Sequence, residues 1–149
     1  MNDPLVRLLF LAHLGSCLFM VGAIWIVQVV HYPLFDSIGV REFPSYAQRH
    51  VTLITGVVAP TMLIEGVTAV LLFWCRPAGV SRGFLGAGLV LLAVIWSSTA
   101  FVQVPCHDVF TQGFDFVVHQ RLVSTNWIRT TAWSLRGALV LWMTWSSLR

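Results

Sequence analysis

Four of the five histidines, His31, His50, His107 and His119, stand beside the ends of long apolar segments. The order of those segments puts all four at one face of a membrane. Imidazole ligates copper, iron, zinc and haem iron, and it is the side chain that exchanges protons near neutral pH. Gathered at one face of an apolar chain, these residues point to metal, haem or proton chemistry. His13 lies near the opposite end of the first segment and is expected to be a hydrogen-bonded core residue.

The elements that would position them follow from composition. Of 149 residues, 57% are hydrophobic and only 10% charged, and the mean hydropathy of +0.80 is too high for a soluble domain. The chain is expected to be an integral membrane protein. Four runs, Leu8 to Val30, Val51 to Cys75, Phe84 to Val104 and Trp127 to Leu148, are long enough to cross about 30 Å of hydrocarbon at roughly 1.5 Å per residue. With so little chain left over, the expected architecture is all-α: one domain over 1–149, a four-transmembrane-helix bundle. The first run is too long for a cleavable signal peptide, and no small-residue cleavage site follows it, so it is expected to remain as helix one.

Charge decides orientation poorly. Arg7, Arg76, Arg82 and Arg149 fall on one side, and Arg41, Arg49, Arg121 and Arg129 on the other. The short loop carrying Arg76 and Arg82 has no acid, which favours cytoplasmic termini. The histidine-rich face is then periplasmic if the membrane is a bacterial inner membrane. Cys17, Cys75 and Cys106 form no CxxC pair, so a thioredoxin-like motif or a sulfur-rich zinc site is not supported. Cys17 and Cys75 are expected in apolar packing, while Cys106 adjoins His107.

An internal repeat organises the chain. Val27-Gln28-Val29 recurs as Val102-Gln103-Val104, and Gln48-Arg49-His50-Val51-Thr52 as Gln120-Arg121-Leu122-Val123-Ser124. Helices one and three cross in the same direction, so the halves are expected to be parallel-repeated helical hairpins. Pro44 suits the first turn of helix two, and Asp115 suits a cap for a helix running through His119.

Polar residues inside the spans add a second set of candidates. Asn126, Arg129, Trp133 and Arg136 share one face of helix four, which must point inward, because an arginine facing lipid near mid-membrane is costly. Glu65 lies at a depth comparable with Arg136, and the two are expected to pair. Asn126, Arg129, Glu65 and Arg136 are the candidate catalytic groups. Gln28, Gln103 and Arg129 are candidates for holding a cofactor, and His31, His50, His107 and His119 for ligating a metal. Each also has a structural reading: the ion pair fixes helix register, and the glutamines hydrogen-bond between helices.

Three or four imidazoles from four helix ends suit copper or iron, and two on facing helices suit haem b, with Arg129 against a propionate. A site without any cofactor stays open beside these. Val104-Pro105-Cys106-His107, followed by a polar connection and Asn126-Trp127-Ile128-Arg129, resembles the four-helix membrane proteins of the anthrone oxygenase-like group. In that group a small polar residue follows the proline, where this chain has Cys106-His107. The resemblance implies oxygen-dependent oxidation of a polycyclic phenol at a site that needs polar groups and no metal.

The function expected first is therefore a membrane oxidoreductase acting on a lipophilic small molecule such as a quinone, phenol or polyketide. The alternatives are a metal- or haem-binding accessory subunit or assembly factor, and a small transporter. The lipid bilayer, other membrane subunits or a second copy of the chain are the expected partners, and nucleic acid is not.

Overall fold

In the computed structural model, which describes residues 3–147, the chain is helical throughout, with no strand among the described residues. Helix α1 spans Pro4–Ile26, α2 Phe43–Trp74, α3 Arg82–Ser98, α4 Val104–Phe110 and α5 Phe116–Ser147. Their starts are written locally. Asp3 accepts from the Leu5 amide at 2.8 Å with Pro4 opening α1, Ser81 accepts from Phe84 at 3.4 Å, and Asp115 accepts from Val118 at 2.9 Å. These side chains satisfy amides that a helix start leaves unpaired.

Three continuous helical stretches, Pro4–Ser37, Phe43–Trp74 and Arg82–Phe110, are long and apolar enough to cross a membrane. Helix α5 matches α2 in length at 32 residues, but its arginines and asparagine lower its hydropathy. The helices outrun the apolar runs read from the sequence. As expected from the sequence, Asp115 starts α5 well before the apolar residues begin, and α4, which was not expected, continues α3, so the connection between Val104 and Trp127 is mostly helix. The expected end of the fourth run at Leu148, and Arg149, lie outside the described residues.

Two wide turns follow α1 and α3. At Val27–His31 and at Thr99–Gln103 the backbone closes i to i+5 rings, as in the 2.9 Å bond from the Tyr32 amide to the Val27 carbonyl. Each is followed at the same distance by a proline, Pro33 and Pro105. Proline lacks an amide proton, and its ring collides with the carbonyl four residues back, so the helix relaxes by widening just before it. Pairing the wide turns matches Val27 with Thr99 and Pro33 with Pro105, and the same spacing carries Gln48-Arg49 onto Gln120-Arg121. Gln28 and Gln103, matched by sequence, are out of step with this register.

Packing runs along the bundle in three groups. Phe10, Leu72 and Met143 close the end that carries the α2–α3 turn; Met20, Met62, Ile95 and Trp133 fill the middle; Tyr32, Phe35, Phe43, Phe110 and Leu122 fill the histidine end. Large apolar residues such as Leu8, Val67 and Phe101 cover the outside, as expected of a surface that meets lipid. Cys17 is buried, whereas Cys75 is exposed at the end of α2 rather than packed. In the α2–α3 turn Gly79 has φ of 81°, and a Cβ there would press on the Ser146 carbonyl of α5, so both the conformation and the close approach require glycine.

The central contact is between α2 and α5. Arg136 Nε donates to Glu65 Oε1 at 2.8 Å, Trp133 Nε1 donates to Glu65 Oε2 at 3.0 Å, and Arg136 Nη1 donates to the Gly88 carbonyl of α3. Both charged side chains are buried. Nearby, His13 Nδ1 lies 3.0 Å from the Thr68 hydroxyl, a hydrogen-bonded core histidine. Removing one member of a buried pair strands the other charge at a cost of about 3–5 kcal/mol. Glu65→Gln and Arg136→Met should each destabilise by that order in a denaturation curve in detergent, and the double variant should recover much of the loss; additive losses would show that the two charges do not support one another.

Candidate functional site

The four histidines do come to one end of the bundle, but they gather around a ring rather than around a point. The Phe35 ring, 1% exposed, has His31 at 5.2 Å, His50 at 5.3 Å, His107 at 6.3 Å and His119 at 6.5 Å between centroids. A phenyl group occupies the centre where a shared ion would sit. His31 Nε2 and His50 Nδ1 are 2.9 Å apart and share a hydrogen bond. Two imidazole nitrogens on one tetrahedral ion would lie about 3.3 Å apart, since each metal–nitrogen bond is about 2.0–2.1 Å, and neither would share a proton with the other. His119 Nε2 donates to the Tyr32 carbonyl at 2.8 Å, which engages the third. Among the described residues no set of three or more histidine, cysteine, aspartate or glutamate side chains is placed to hold one metal ion.

The cluster owes its shape to the wide turn of α1. His31 ends that turn and Tyr32 follows it, so adjacent residues serve different neighbours: His31 reaches α2, and Tyr32 points into the bundle toward α4 and α5. The Tyr32 hydroxyl is 3.0 Å from His107 Nε2 and accepts from Arg129 Nη2 at 3.2 Å. Tyr32 and Phe35 were not singled out by the sequence reading. Tyr32 stands four residues after Gln28, the helical spacing that would have put it on the same inward face.

Arg129 is held by neutral dipoles. Its Nε and Nη2 donate to Asn126 Oδ1 at 2.9 and 2.6 Å, and its Nη1 donates to Thr99 at 3.3 Å. Asn126 Nδ2 donates to Gln28 Oε1 at 2.9 Å, and Gln28 Nε2 donates to the Val123 carbonyl at 3.1 Å, which fixes the orientation of the asparagine. Gln103, on the wide turn of α3, donates to Ser98 at 3.3 Å and keeps a buried carbonyl oxygen without a partner. The guanidinium is 7% exposed, and among the described residues no carboxylate lies within ion-pair distance of it. A buried cation balanced only by neutral groups is poised for an anion.

That cation faces a cavity of about 230 Å³. Tyr32, His107, Arg129, Thr99 and Gln103 provide its polar part, and Met20, Ile24, Val58, Met62 and Trp133 its apolar part. The Trp133 ring lies 6.0 Å from the Arg129 guanidinium carbon. Exposed Thr55 of α2 and Val104 of α4 lie on its rim. Of the sequence candidates, His107, Arg129 and Gln103 line this space directly, and Asn126 and Gln28 hold Arg129 in place. Glu65 and Arg136 form their own pair and reach the site through Trp133, while His31 and His50 line a second hollow between α1 and α2.

No family model, curated protein or solved structure matches the chain.

Phe35 is the packing centre of the histidine cluster. Phe35→Ala should cost about 3–5 kcal/mol in a detergent unfolding curve, whereas Phe101→Ala, on the exposed surface of α3, should change stability little. Equal losses would show that the phenyl ring does not organise this end of the bundle.

Proposed function

We propose that the protein is an integral membrane oxidoreductase that binds a lipophilic, oxygen-bearing ring compound, a phenol or quinone, in the cavity between Trp133 and the Tyr32–His107–Arg129 group. The observation that carries this reading is the buried Arg129, which has no carboxylate partner among the described residues and lines a largely apolar cavity. A flat aromatic body suits the apolar wall, and a phenolate or quinone oxygen suits Arg129. Arg129, from the segment that resembles the anthrone oxygenase-like group, reaches the Tyr32 hydroxyl, as does His107, which stands where this chain departs from that group.

In this reading Arg129 stabilises the phenolate oxygen, and Tyr32 takes the substrate proton as its own hydroxyl proton moves to His107 Nε2. Ionisation makes the ring electron-rich, the form that gives up electrons to dioxygen or to a membrane quinone. Asn126 and Gln28 are positioning residues for Arg129. The donors present do not call for a haem or a four-histidine metal ion.

The proposed frame is a four-span bundle of two parallel hairpins in a bacterial inner membrane, with the histidine end periplasmic and α5 as the fourth span. Its polar stripe faces the other helices, so α5 can cross without offering arginine to lipid. Cysteine placed at Val40 and at Gln112 of a cysteine-free variant should label from outside intact cells, and cysteine at Ala78 only after permeabilisation. Labelling of Ala78 together with the other two would remove the four-span frame, and labelling of Ala78 alone would reverse the orientation.

The cavity reading is tested with a hydroxyanthraquinone whose visible spectrum reports ionisation of its phenol. The wild type should bind it saturably as the phenolate. Arg129→Met should weaken binding by about tenfold or more, a loss of about 1.4 kcal/mol, while Arg121→Met on the exposed face of α5 should not. Absence of saturable binding would overturn the cavity assignment. Binding without dioxygen uptake or quinone reduction, with the corresponding anthrone as electron donor, would replace the oxidoreductase by a non-catalytic subunit.

A further inference from the structure

The cavity and the histidine cluster are joined by a line of donors and acceptors whose direction follows from the groups themselves. Arg129 can only donate, so the Tyr32 oxygen accepts from it, and the Tyr32 hydroxyl is left to donate to His107 Nε2. A neutral imidazole that accepts at Nε2 carries its proton on Nδ1. His107 Nδ1 is buried and has no hydrogen-bond partner among the described residues. The neighbouring ring is His50, with centroids 5.3 Å apart, and its Nε2 is likewise buried without a partner. When His50 donates from Nδ1 to His31 Nε2, its Nε2 carries the lone pair. With that tautomer, Arg129, Tyr32, His107 and His50 all donate in one direction, with a single break between a donor on His107 and an acceptor on His50. One water between the two nitrogens would satisfy both, accepting from the first and donating to the second.

The ends of this line open into different spaces. Tyr32, His107 and Arg129 line the 230 Å³ cavity, whereas His31 and His50 line a hollow of about 660 Å³ together with Tyr46 and the exposed Arg49. Ala23, Val27 and Ile54 line both. These shared residues are apolar, and the histidines provide the polar route between the two spaces.

We propose that Tyr32, His107, His50 and His31, closed by one water between His107 Nδ1 and His50 Nε2, conduct a proton between the cavity and the outer hollow. The proposal rests on the reading of the cavity as the place where a phenol ionises. The phenol proton passes to the Tyr32 oxygen as the Tyr32 proton moves to His107 Nε2. His107 releases its Nδ1 proton to the water, the water protonates His50 Nε2, and the His50 Nδ1 proton passes to His31 Nε2. His31 gives up its Nδ1 proton to the hollow. One proton enters and one leaves, the phenolate stays against Arg129, and a proton returning the other way restores the starting tautomers.

The test uses the full chain in detergent with nitrogen-15 in its histidine rings. The resonances should show His107 and His50 both protonated at Nδ1 and unprotonated at Nε2. Tyr32→Phe, which removes the donor to His107, should shift the resonances of His107 and, across the bridge, of His50. His31→Ala should shift His50 and then His107. His13, paired with Thr68 on the far side of the bundle, should stay in place in both. Perturbations that stop at His107 in the first variant and at His50 in the second would overturn the bridge. With the hydroxyanthraquinone as probe, His50→Gln should retain phenolate binding and lose the rapid release of a proton to a pH-indicator dye; rapid release at the wild-type rate would overturn conduction through His50. Failure of the probe to bind would remove the cavity reading alone, since the ring resonances report the line of hydrogen bonds without any ligand.

Discussion

Helix α5 carries two arginines and an asparagine that an apolar surrounding cannot accept unpaired, and the arrangement of the other helices answers that constraint. Arg136 is met by Glu65 from α2 and the Gly88 carbonyl from α3, and Arg129 by Thr99 from the α3 wide turn and Tyr32 from the end of α1. Each neighbouring helix contributes an acceptor at the depth where α5 needs one. Packing then fills the space between these contacts. The polar stripe therefore sets register in a bundle whose apolar faces alone would tolerate sliding, since lipid competes with protein for apolar surface and provides no hydrophobic drive between helices.

The two arginines differ in how they are answered, and that difference separates structure from site. Arg136 has a carboxylate and lies in tight packing. Arg129 has only neutral partners and an open cavity beside it. Trp133 stands between them, donating to Glu65 with its indole nitrogen and facing the cavity with its ring. It links the rigid half of the bundle to the half that has room for a ligand.

Much of this was legible in the sequence because it depends on helical spacing. The inward face of Asn126, Arg129, Trp133 and Arg136 follows from steps of three and four residues, and the Glu65–Arg136 pair follows from depth. The gathering of the histidines at one end follows from helix order. Their detailed arrangement was not legible, because the wide turns at Val27–His31 and Thr99–Gln103 break the regular helical spacing at the segments that deliver His31 and Gln103. Phe35 could not be placed either, since it lies in a short turn where apolar periodicity carries no information. The starts of α2 and α5 were legible in Pro44 and Asp115, whereas the continuation of α3 into α4 was not, because hydropathy marks where lipid would end and not where the helix ends.

A wide turn holds one residue more than the α-helical turn it replaces, so the helical stretches that begin with α1 and α3 each behave as though a single residue had been inserted. One residue of helix corresponds to about 100° of rotation. Winding the same residues of Val27–His31 as a regular α-helix, with no wide turn to absorb the extra one, would swing everything after them by more than a quarter of a circle, carrying Tyr32 away from Arg129 without altering a single side chain. At this point in the chain, residue count is itself a structural specification, as exacting as the identity of the tyrosine.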